Sequence, residues 1–456
     1  MSTEVIVLAA GQGKRMNSDL PKVMHRVANK PMIEHVLDSA LALSEKTPVV
    51  IYGHGGDVLR DALASRDLRW AEQREQLGTG HAVLQALPLL DDDSIALILY
   101  GDVPLLREET LELLMAAAGD SGFAILTAVM DDPTGYGRIV RNEQNVVQKI
   151  VEHKDATDVE LMLREINTGI MAISARLLKT WIPSLGNNNA QGEYYLTDCV
   201  ERAVEEGITV GSAVLEAAHE AMGVNNRQQL AEVEGFHRAR IAERLMSEGV
   251  TLCDPARIDV RGELICGRDV YIDVNVVFEG EVRLGDGVRI GPHSVVRDAQ
   301  IGDGTEVLSH CVIDSAAVGA GAKIGPFARL RPEAQLGNDV HIGNFVEIKK
   351  SSISDGSKVN HLAYVGDAEI GKRVNVGAGT ITCNYDGAFK HKTVLEDDVF
   401  VGSDTQLVAP VKVGRGVTIG AGTTVTHDVE PDQLVISRVK QKTISGWQRP
   451  RKNKKS

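Results

Sequence analysis

The chain of 456 residues contains few aromatic side chains and few cysteines. Aromatic residues make up 4% of the sequence whereas glycines number 45, which indicates that part of the chain relies on close backbone packing. The five cysteines show no Cys-x-x-Cys spacing and are odd in number: Cys199, Cys253, Cys266, Cys311 and Cys383. This pattern indicates neither a disulfide framework nor a zinc site, and it fits a reducing compartment.

Long apolar runs and excess positive charge are also missing. No run of roughly eighteen apolar residues occurs, and the N-terminal MSTEVIVLAAG has too short an apolar run for a signal peptide. We therefore expect a soluble, cytoplasmic protein. The net charge of −14 argues against a nucleic-acid or membrane partner and favours small-molecule chemistry.

The length and a change of pattern near residue 250 predict two domains. Residues 1–227 alternate aliphatic strands with amphipathic helices, which predicts an α/β, Rossmann-like domain with a mostly parallel sheet. Residues 228–249 are rich in helix formers and lack proline, so we predict a helical linker. Residues 250–456 form the second domain and end in a basic tail, RPRKNKKS.

A six-residue period runs through the second domain. Aliphatic or aromatic residues recur in three blocks: Ile272, Phe278, Leu284, Ile290 and Val296; Ile324, Leu330, Leu336, Ile342 and Ile348; Leu395, Val401, Leu407, Val413, Ile419 and Val425. Steps of five residues reset the phase, and glycine often follows the aliphatic residue, where it suits tight corners. Three such repeats make one turn of a three-sided coil. We predict a left-handed parallel β-helix of hexapeptide repeats rather than a β-sandwich.

The segment LAAGQGKRM, residues 8–16, follows the first predicted strand. A glycine-rich turn there exposes backbone N–H groups to phosphate, and Lys14 and Arg15 add positive charge. The continuation SDLPKVM places Lys22 after a proline. This constellation resembles the sugar-1-phosphate nucleotidyltransferases, whose signature runs GxGTRM followed by PK; Lys14 stands where threonine or serine is more usual.

Asp102 follows the strand SIALILYGD, at the edge of the sheet where such folds bind ligands. We predict that it is a ligand of Mg²⁺, which prefers oxygen donors. The alternative is a helix N-cap before VPLLREE. The nucleotidyltransferase resemblance implies a second metal ligand, Asn225.

In KVNHLAYVGD, His361 and Tyr364 lie outside the buried register of the repeat. A neutral histidine on the outside of a coil can accept a proton, and we predict that His361 is a general base. The alternative is an ordinary surface histidine. The irregular residues 377–393 interrupt the repeat and are expected to serve a neighbouring site.

With this segment, the sequence resembles the bifunctional N-acetylglucosamine-1-phosphate uridyltransferase/glucosamine-1-phosphate N-acetyltransferase family over essentially the whole chain. The resemblance implies three binding sets. UTP and the UDP-sugar would be bound by Leu8, Ala9, Ala10, Gly11, Lys22, Gln73, Gly78, Thr79, Tyr100, Gly101, Asp102, Gly137, Glu152, Asn167 and Asn225. The acetyltransferase substrate would be bound by Arg331, Lys349, Tyr364 and Asn375. Acetyl-CoA would be bound by Ala378, Asn384, Tyr385, Ser403, Ala421 and Arg438.

The resemblance implies that glucosamine-1-phosphate is acetylated by acetyl-CoA and that the product then takes UMP from UTP, releasing pyrophosphate. Arg15 and Lys22 would neutralise charge with Mg²⁺, and a homotrimer is implied. Acetyl transfer is expected to be direct, although Cys383 in the irregular segment requires a control. Two alternatives stay open: a nucleotidyltransferase whose β-helix only assembles or regulates, and a binding scaffold without activity.

Overall fold

The computed structural model describes residues 2–11, 13–44, 46–53 and 55–450. The chain divides into two compact units, Met1–Arg240 and Ile241–Ser456. Residues 451–456 of the predicted basic tail lie outside the described residues. No helix in the described ranges is long and apolar enough to cross a membrane.

The first unit is built on one mixed sheet. The strands of the unit are β1 Ser2–Ala9, β2 Arg26–Val27, β3 Lys30–Pro31, β4 Val49–Tyr52, β5 Arg69–Glu72, β6 Ser94–Tyr100, β7 Phe123–Val129, β8 Arg138–Arg141, β9 Val147–Val151, β10 Glu165–Ser174 and β11 Gly211–Val214, and all except β2 and β3 belong to this sheet. The sheet order is β11-β7-β10-β6-β1-β4-β5; β8 pairs with β10 and β9, and β2 pairs with β3 separately. Strand β10 runs antiparallel to β6 and β7, whereas β1 is parallel to β4 and β6.

Helices cover both faces of this sheet. The α-helices of the chain are α1 Met32–Leu41, α2 Gly56–Ala62, α3 Thr79–Ala86, α4 Glu108–Ala118, α5 Asp158–Leu161, α6 Ala175–Trp181, α7 Asp198–Glu205 and α8 Arg227–Ser247. Alternate residues of β1 enter different cores: Ile6 packs in the cluster that contains Trp181, and Val7 packs in the cluster that contains Leu37. Burial on both faces explains the continuous aliphatic runs of these strands. The predicted mostly parallel α/β sheet is confirmed.

Helix α8 occupies the segment for which a helical linker was predicted, and the division between the two compact units falls within it. Its first part contributes Val233 to a core of the first unit, and its last turns contribute Ala242 and Leu245 to the core of the second. Each unit therefore takes apolar side chains from its own part of the helix into its own core.

The second unit is a β-helix of short parallel strands. These are β12 Thr251–Leu252, β13 Ile258–Cys266, β14 Tyr271–Ile272, β15 Val276–Leu284, β16 Arg289–Ile290, β17 Val295–Ile301, β18 Glu306–Val307, β19 Val312–Asp314, β20 Ala317–Val318, β21 Lys323–Ile324, β22 Arg329–Leu330, β23 Gln335–Leu336, β24 His341–Asn344, β25 Glu347–Lys349, β26 Ser352–Ile353, β27 Lys358–His361, β28 Tyr364–Gly366, β29 Ala368–Ile370, β30 Asn375–Val376, β31 Ile381–Cys383, β32 Thr393–Leu395, β33 Phe400–Val401, β34 Gln406–Val408, β35 Val411–Val413, β36 Thr418–Ile419, β37 Thr424–Val425 and β38 Leu434–Val435.

The six-residue period corresponds to the faces of this coil. Strand β21 pairs with β24 and β24 with β27, so that Ile324, Ile342 and Val359 lie one above another. All of the aliphatic and aromatic positions named from the sequence are buried in one core. Stacked coils pair their backbones as neighbouring strands do, and the apolar side chains fill the interior. The predicted left-handed parallel β-helix is confirmed.

Left-handed backbone at the corners is adopted largely by residues other than glycine. Asn275, His293, His310, Phe327 and Phe345 have φ between 55° and 60°. From His293 onward their rings stack in successive coils, with centroids 4.9, 4.9 and 5.3 Å apart. Ring stacking of this kind stabilises an otherwise unfavourable conformation. The five-residue steps from Val296 to Ile301, from Ile348 to Ile353 and from Val365 to Ile370 also contain one such residue each, namely Asp298, Lys350 and Asp367.

Some of the glycines that follow aliphatic residues have a different role from the one expected, whereas Gly325, after Ile324, has the positive φ of 97° that suits a tight corner. Gly291 and Gly343 do not have positive φ, but a Cβ at Gly291 would lie 2.9 Å from backbone atoms of Leu308 and Ser309. A Cβ at Gly343 would overlap the carbonyl oxygen of Asn360. These positions require glycine because the next coil passes very close to them.

The irregular segment is shorter than predicted. Within residues 377–393, strand β31 continues the coil and Thr382 is buried, so the extrusion comprises residues 384–392. The register shows the insertion, because Ile381 pairs with Gln406, 25 residues later, whereas Tyr364 pairs with Ile381, 17 residues later. The aliphatic repeat could not be followed through this coil in the sequence, because Thr382, a polar residue, takes the interior position.

We predict that Gly343→Ala lowers the stability of the second unit by about 1–3 kcal/mol, because the new methyl group meets fixed backbone. Thermal unfolding followed by circular dichroism measures the shift. Gly420→Ala is the matched control, since it also follows an isoleucine but its Cβ would meet the flexible Arg438 side chain at 3.3 Å. Equal unfolding midpoints for the two variants would contradict the close-approach explanation.

Candidate active sites

The first candidate site lies at the carboxyl ends of β1 and β6. These strands are parallel neighbours with Leu8 opposite Tyr100, and the Gly101 N–H donates to the Leu8 carbonyl at 3.0 Å. The glycine-rich turn and Asp102 therefore meet at one edge of the sheet. Asn225 joins them because the Val224 N–H donates to the Asp102 carbonyl at 3.0 Å.

Two cavities open at this edge and share Tyr100 and Asp102. The first, of about 280 Å³, is lined by most of the residues predicted for nucleotide binding: Leu8, Ala9, Ala10, Gly11, Lys22, Gln73, Gly78, Thr79, Tyr100 and Asp102. The second, of about 330 Å³, is lined by Arg15 and Asn225 as well. The size and the mixed polar lining suit a small phosphorylated ligand.

Four of the predicted nucleotide-site residues, Gly101, Gly137, Glu152 and Asn167, do not line either cavity. Three of these form a group of their own. The Asn167 N–H donates to the Gly137 carbonyl at 2.9 Å, and a Cβ at Gly137 would lie 3.4 Å from Glu152 Oε1. Burial raises the pKa of Glu152, and the Thr197 hydroxyl donates to it at 3.3 Å. This group sits beside the second cavity, whose lining includes Tyr136 and Thr168, the chain neighbours of Gly137 and Asn167.

Lys22 is the central cation of this site. It begins a short 3-10 helix, Lys22–Met24, directly after Pro21, whose φ is −51°. Gly13 in the preceding turn has φ 61°, and a Cβ there would lie 2.8 Å from the Lys22 Cβ. The glycine therefore lets the turn pass close to Lys22, and Arg15 follows it, exposed, in the helix Lys14–Met16.

The residues predicted to hold Mg²⁺ fit a hard divalent cation. Asp102 Oδ2 and Asn225 Oδ1 converge on one positive group, the Lys22 ammonium, at 2.5 and 3.1 Å. Mg²⁺ commonly takes one or two such protein oxygens and completes its shell with water and substrate phosphates. The helix-cap alternative for Asp102 is wrong, because helix α4 begins at Glu108 with Arg107 preceding it. In the described part of the chain, no cluster of three or more His, Cys, Asp or Glu side chains offers another metal site.

Several residues of this site were missed from the sequence. The additional lining residues are Val23, Gln76, Ala82 and Glu193 in the first cavity, and Val103, Thr134, Gly135, Tyr136, Thr168, Ala221, Gly223 and Gln229 in the second. Val23 and Gln76 stand in stretches that were already singled out, Val23 directly after Lys22 and Gln76 between Gln73 and Gly78. Gln229 could not be found by pattern because its side chain acts locally, accepting from the Asn225 N–H at 2.8 Å.

The second candidate site lies on the β-helix around His361. Strand β27 ends at this residue, which is exposed, as predicted. Its Nδ1 lies 3.0 Å from Asn344 Oδ1 in the preceding coil. The amide oxygen accepts a hydrogen bond, so Nδ1 carries the proton and Nε2 keeps its lone pair for an incoming proton. Asn344 was missed because its contact depends on the stacking of coils, 17 residues apart.

The two cations predicted for the acetyltransferase substrate stand in a column on the coils that include Tyr364. Leu330 pairs with Ile348 in register, so Arg331 and Lys349 follow each other on adjacent coils. Arg331 is paired with Glu347 at 2.8 Å, and Lys349 with Asp367 at 3.4 Å. Each cation is thus held in place by a carboxylate before any phosphate arrives.

Asp367 also connects the extruded loop to this column. The Asn384 side-chain amide donates to Asp367 Oδ2 at 2.5 Å and lies 3.5 Å from the Tyr364 hydroxyl. The structure therefore brings together Lys349, Tyr364 and Asn384, whereas Asn375 lies on the sheet that carries His361. Asp367 itself was missed because its contacts with Lys349 and Asn384 depend on the stacking of coils.

The extruded loop adds one cation and its own internal support. Lys390 lies next to Lys349, whose hydrogen bond and charge lower the pKa of Lys390. Asp386 accepts from the backbone N–H groups of Ala388 and Phe389 at 2.8 and 2.7 Å, and it pairs with His391 Nε2 at 2.7 Å. A loop closed in this way presents its ends in a fixed orientation. Lys390 was missed because nothing in the loop sequence says which way its side chain projects.

Small residues predicted for acetyl-CoA form a second column. Val376, Val401 and Ile419 are stacked in register, so Ala378, Ser403 and Ala421 occupy the same position in successive coils. The column ends where Arg438 Nε donates to the Ala421 carbonyl at 3.2 Å. Tyr385 in the loop is exposed, and among the described residues its hydroxyl donates to Gly387.

Comparisons with known proteins agree with both sites. Residues 5–168 match the MobA-like NTP transferase domain, and residues 265–298, 315–350 and 392–427 match the bacterial transferase hexapeptide repeats. The fold and the matches define a nucleotidyltransferase joined to a hexapeptide-repeat transferase.

Full-length relatives identify the particular family. A protein of Azoarcus sp. (strain BH72) is 60% identical, the match covering 99% of this chain and 100% of the relative. Proteins of Ralstonia nicotianae and Cupriavidus pinatubonensis are 58% and 59% identical, each match covering 99% of both chains. All three are named bifunctional protein GlmU. The chain belongs to the GlmU family.

It is a bifunctional enzyme of UDP-N-acetylglucosamine synthesis, with a uridyltransferase and an acetyltransferase activity. The resemblance found in the sequence is thereby confirmed. The two alternatives, a β-helix without acetyltransferase activity and an inactive scaffold, are excluded.

We predict that Asn344→Leu lowers kcat for acetyl transfer by roughly tenfold to a hundredfold, because the His361 ring loses the partner that fixes its tautomer and orientation. Asn344→Asp keeps the oxygen that accepts from His361, and its kcat for acetyl transfer is expected to fall much less. Release of the coenzyme A thiol measures the rate, and pyrophosphate release by the same preparation is the internal reference. Equal rates for Asn344→Leu and the unsubstituted enzyme would contradict the assigned role.

Proposed function

We propose that the β-helix site acetylates glucosamine-1-phosphate and that the N-terminal site then couples the product with UTP. The observation that carries the proposal is the His361 ring oriented by Asn344, three residues before Tyr364. Tyr364 pairs in register with Glu347, the carboxylate that holds Arg331. A β-helix that served only for assembly would need neither a positioned base nor paired cations on these coils. The domain limits 1–227, 228–249 and 250–456 are proposed with it.

Acetyl transfer is proposed to be direct. The sugar amine attacks the thioester carbonyl carbon of acetyl-CoA, and His361 Nε2 takes the proton that the nitrogen loses. The new C–N bond forms, the C–S bond breaks, and the proton held by His361 passes to the sulfur, so that coenzyme A leaves as its thiol and the imidazole is again neutral. Arg331 and Lys349 would hold the sugar phosphate, with Tyr364 and Asn375 completing the pocket.

Acetyl-CoA is proposed to bind along the column of Ala378, Ser403 and Ala421. Small side chains there leave room for an extended ligand, and Arg438 supplies a positive charge for its phosphates. Asn384 and Tyr385 on the loop would contact its acyl end. We also propose a homotrimer with this site between neighbouring subunits, which would cover the exposed Tyr385.

Uridylyl transfer is proposed to proceed by in-line displacement. An oxygen of the sugar phosphate attacks the α-phosphorus of UTP, and the bond to pyrophosphate breaks. Asp102 and Asn225 would hold Mg²⁺, which supplies charge neutralisation for the triphosphate. Lys22 and Arg15 add positive charge on the two sides of Asp102.

Base and sugar recognition are assigned to the flanks of the first site. The Gln73 side-chain amide donates to the Gly78 carbonyl at 3.1 Å, which holds Gln73 beside Thr79 for contact with the uracil. Gly137, Glu152 and Asn167 are proposed to contact the sugar. A cytoplasmic location is proposed because all five cysteines are free thiols.

We predict that Asp102→Ala abolishes Mg²⁺-dependent pyrophosphate release, because the charged metal ligand is lost. The loss is expected to exceed about a hundredfold. Acetyl transfer by the same variant serves as the control for folding. A variant that keeps near-normal uridyltransferase turnover would refute the metal assignment.

We predict that His361→Ala lowers kcat for acetyl transfer by roughly a hundredfold or more, because general base catalysis is lost. Cys383→Ser is expected to leave the rate nearly unchanged, since burial raises the pKa of this thiol and makes it a poor nucleophile. The opposite result, activity lost with Cys383→Ser and kept with His361→Ala, would replace the direct mechanism by one through an acyl-thiol intermediate.

A further inference from the structure

Lys22 occupies the place in the first site where a metal ion would be expected. Its ammonium lies 2.5 Å from Asp102 Oδ2 and 3.1 Å from Asn225 Oδ1, the two oxygens assigned to Mg²⁺ above. Both charged side chains are largely shielded, with exposed fractions of 15% for Lys22 and 13% for Asp102. The two hydrogen bonds join Lys22 to residues that lie 80 and 203 positions later in the chain, so the fold assembles this group specifically.

We propose that Lys22 holds the metal position in the free enzyme and exchanges with the divalent cation when the metal nucleotide binds. The inference rests on the proposed metal site and adds an order of events to it. In the free state the ammonium satisfies the carboxylate. In the loaded state the cation takes both oxygens and Lys22 turns to the triphosphate.

Steric and electrostatic arguments make the two states exclusive. Mg²⁺ binds oxygen at about 2.1 Å and demands near-octahedral directions, so it cannot share these two oxygens with an ammonium at hydrogen-bonding distance. Two positive charges a few ångströms apart in a shielded site also repel each other strongly. Arrival of the metal therefore requires that the ammonium leave.

The structure provides a destination for the displaced ammonium. Lys22 and Asp102 both line the first cavity, together with the glycine-rich turn of Ala10 and Gly11. A triphosphate placed there would compensate the lysine charge that Asp102 gives up. The flexible stem of lysine permits this turn without movement of the backbone.

The backbone under Lys22 is fixed, which confines the exchange to its side chain. The Met24 N–H donates to the Pro21 carbonyl at 2.9 Å, and the His25 N–H donates to the Lys22 carbonyl at 3.2 Å. Close passage of Gly13 restrains the other side of the residue. The energetic result is positive coupling: nucleotide binding releases the metal site, and the metal favours nucleotide binding by the same factor.

Binding of Mn²⁺ to the full-length enzyme, followed by electron paramagnetic resonance of the free ion, tests the proposal. Mn²⁺ accepts the same oxygen ligands as Mg²⁺. Without nucleotide, Lys22→Met is expected to bind Mn²⁺ at least about tenfold more tightly than the unsubstituted enzyme, because the competing charge is gone. Lys22→Arg keeps a positive charge beside Asp102, and its affinity for Mn²⁺ is expected to stay as weak as that of the unsubstituted enzyme.

Two further variants separate the possible failures. Lys14→Met removes a positive charge from the neighbouring turn, where the side chain is exposed, and is expected to change Mn²⁺ affinity less than about threefold. Asp102→Asn is expected to weaken Mn²⁺ binding both without and with UTP. Thermal unfolding of each variant verifies that the site is folded.

The outcomes are distinguishable. Unchanged Mn²⁺ affinity in Lys22→Met, with Mn²⁺ binding in the presence of UTP lost in Asp102→Asn, would overturn the exchange and leave the proposed metal site intact. Normal Mn²⁺ and UTP binding by Asp102→Asn would overturn the metal site and the exchange together. A gain in Mn²⁺ affinity in Lys14→Met equal to that in Lys22→Met would show a general charge effect and would also overturn the exchange.

Discussion

Parallel strands paired in a fixed register bring together nearly all of the residues on which the two proposed sites depend. In the first unit, the pairing of Leu8 with Tyr100 sets the glycine-rich turn beside Asp102. In the second, one coil places Asn344 beside His361, and the next corner places Asp367 beside Lys349. Residues that are far apart in sequence become neighbours because parallel strands end, or repeat, at the same level.

Charge within the sites runs against the charge of the whole chain. The protein carries a net charge of −14, yet each site gathers cations. These cations are paired with carboxylates in the free state: Lys22 with Asp102, Arg331 with Glu347, and Lys349 with Asp367. Such pairs orient the cations in advance and avoid leaving a shielded charge without a partner. A phosphorylated substrate then competes with a carboxylate for each cation.

The sequence was sufficient for the architecture and for the residues that carry periodic or motif signals. The six-residue period named the interior of the coil correctly, since Ile324, Leu330 and Leu336 are all buried. Asp102 could be placed because a carboxylate after a buried strand lies at the ligand-binding edge. The family resemblance named Lys22 and Asn225, and these two residues and Asp102 converge in the structure.

The remaining features depend on contacts that leave no periodic trace. Asn344 and Asp367 act through the stacking of coils, and Lys390 acts through the course of an irregular loop. The role of Gly343 was misjudged because the approach of the next coil is a tertiary property. The predicted irregular segment, residues 377–393, was too long because Thr382, a polar residue, fills an interior position of the coil.

A crystal structure of the full chain soaked with UDP-N-acetylglucosamine and coenzyme A tests the central claim of two separate sites most directly. The account predicts density for the nucleotide sugar beside Asp102 and Lys22, and density for coenzyme A along Ala378, Ser403 and Ala421 near His361. Density for either ligand remote from these residues would contradict it.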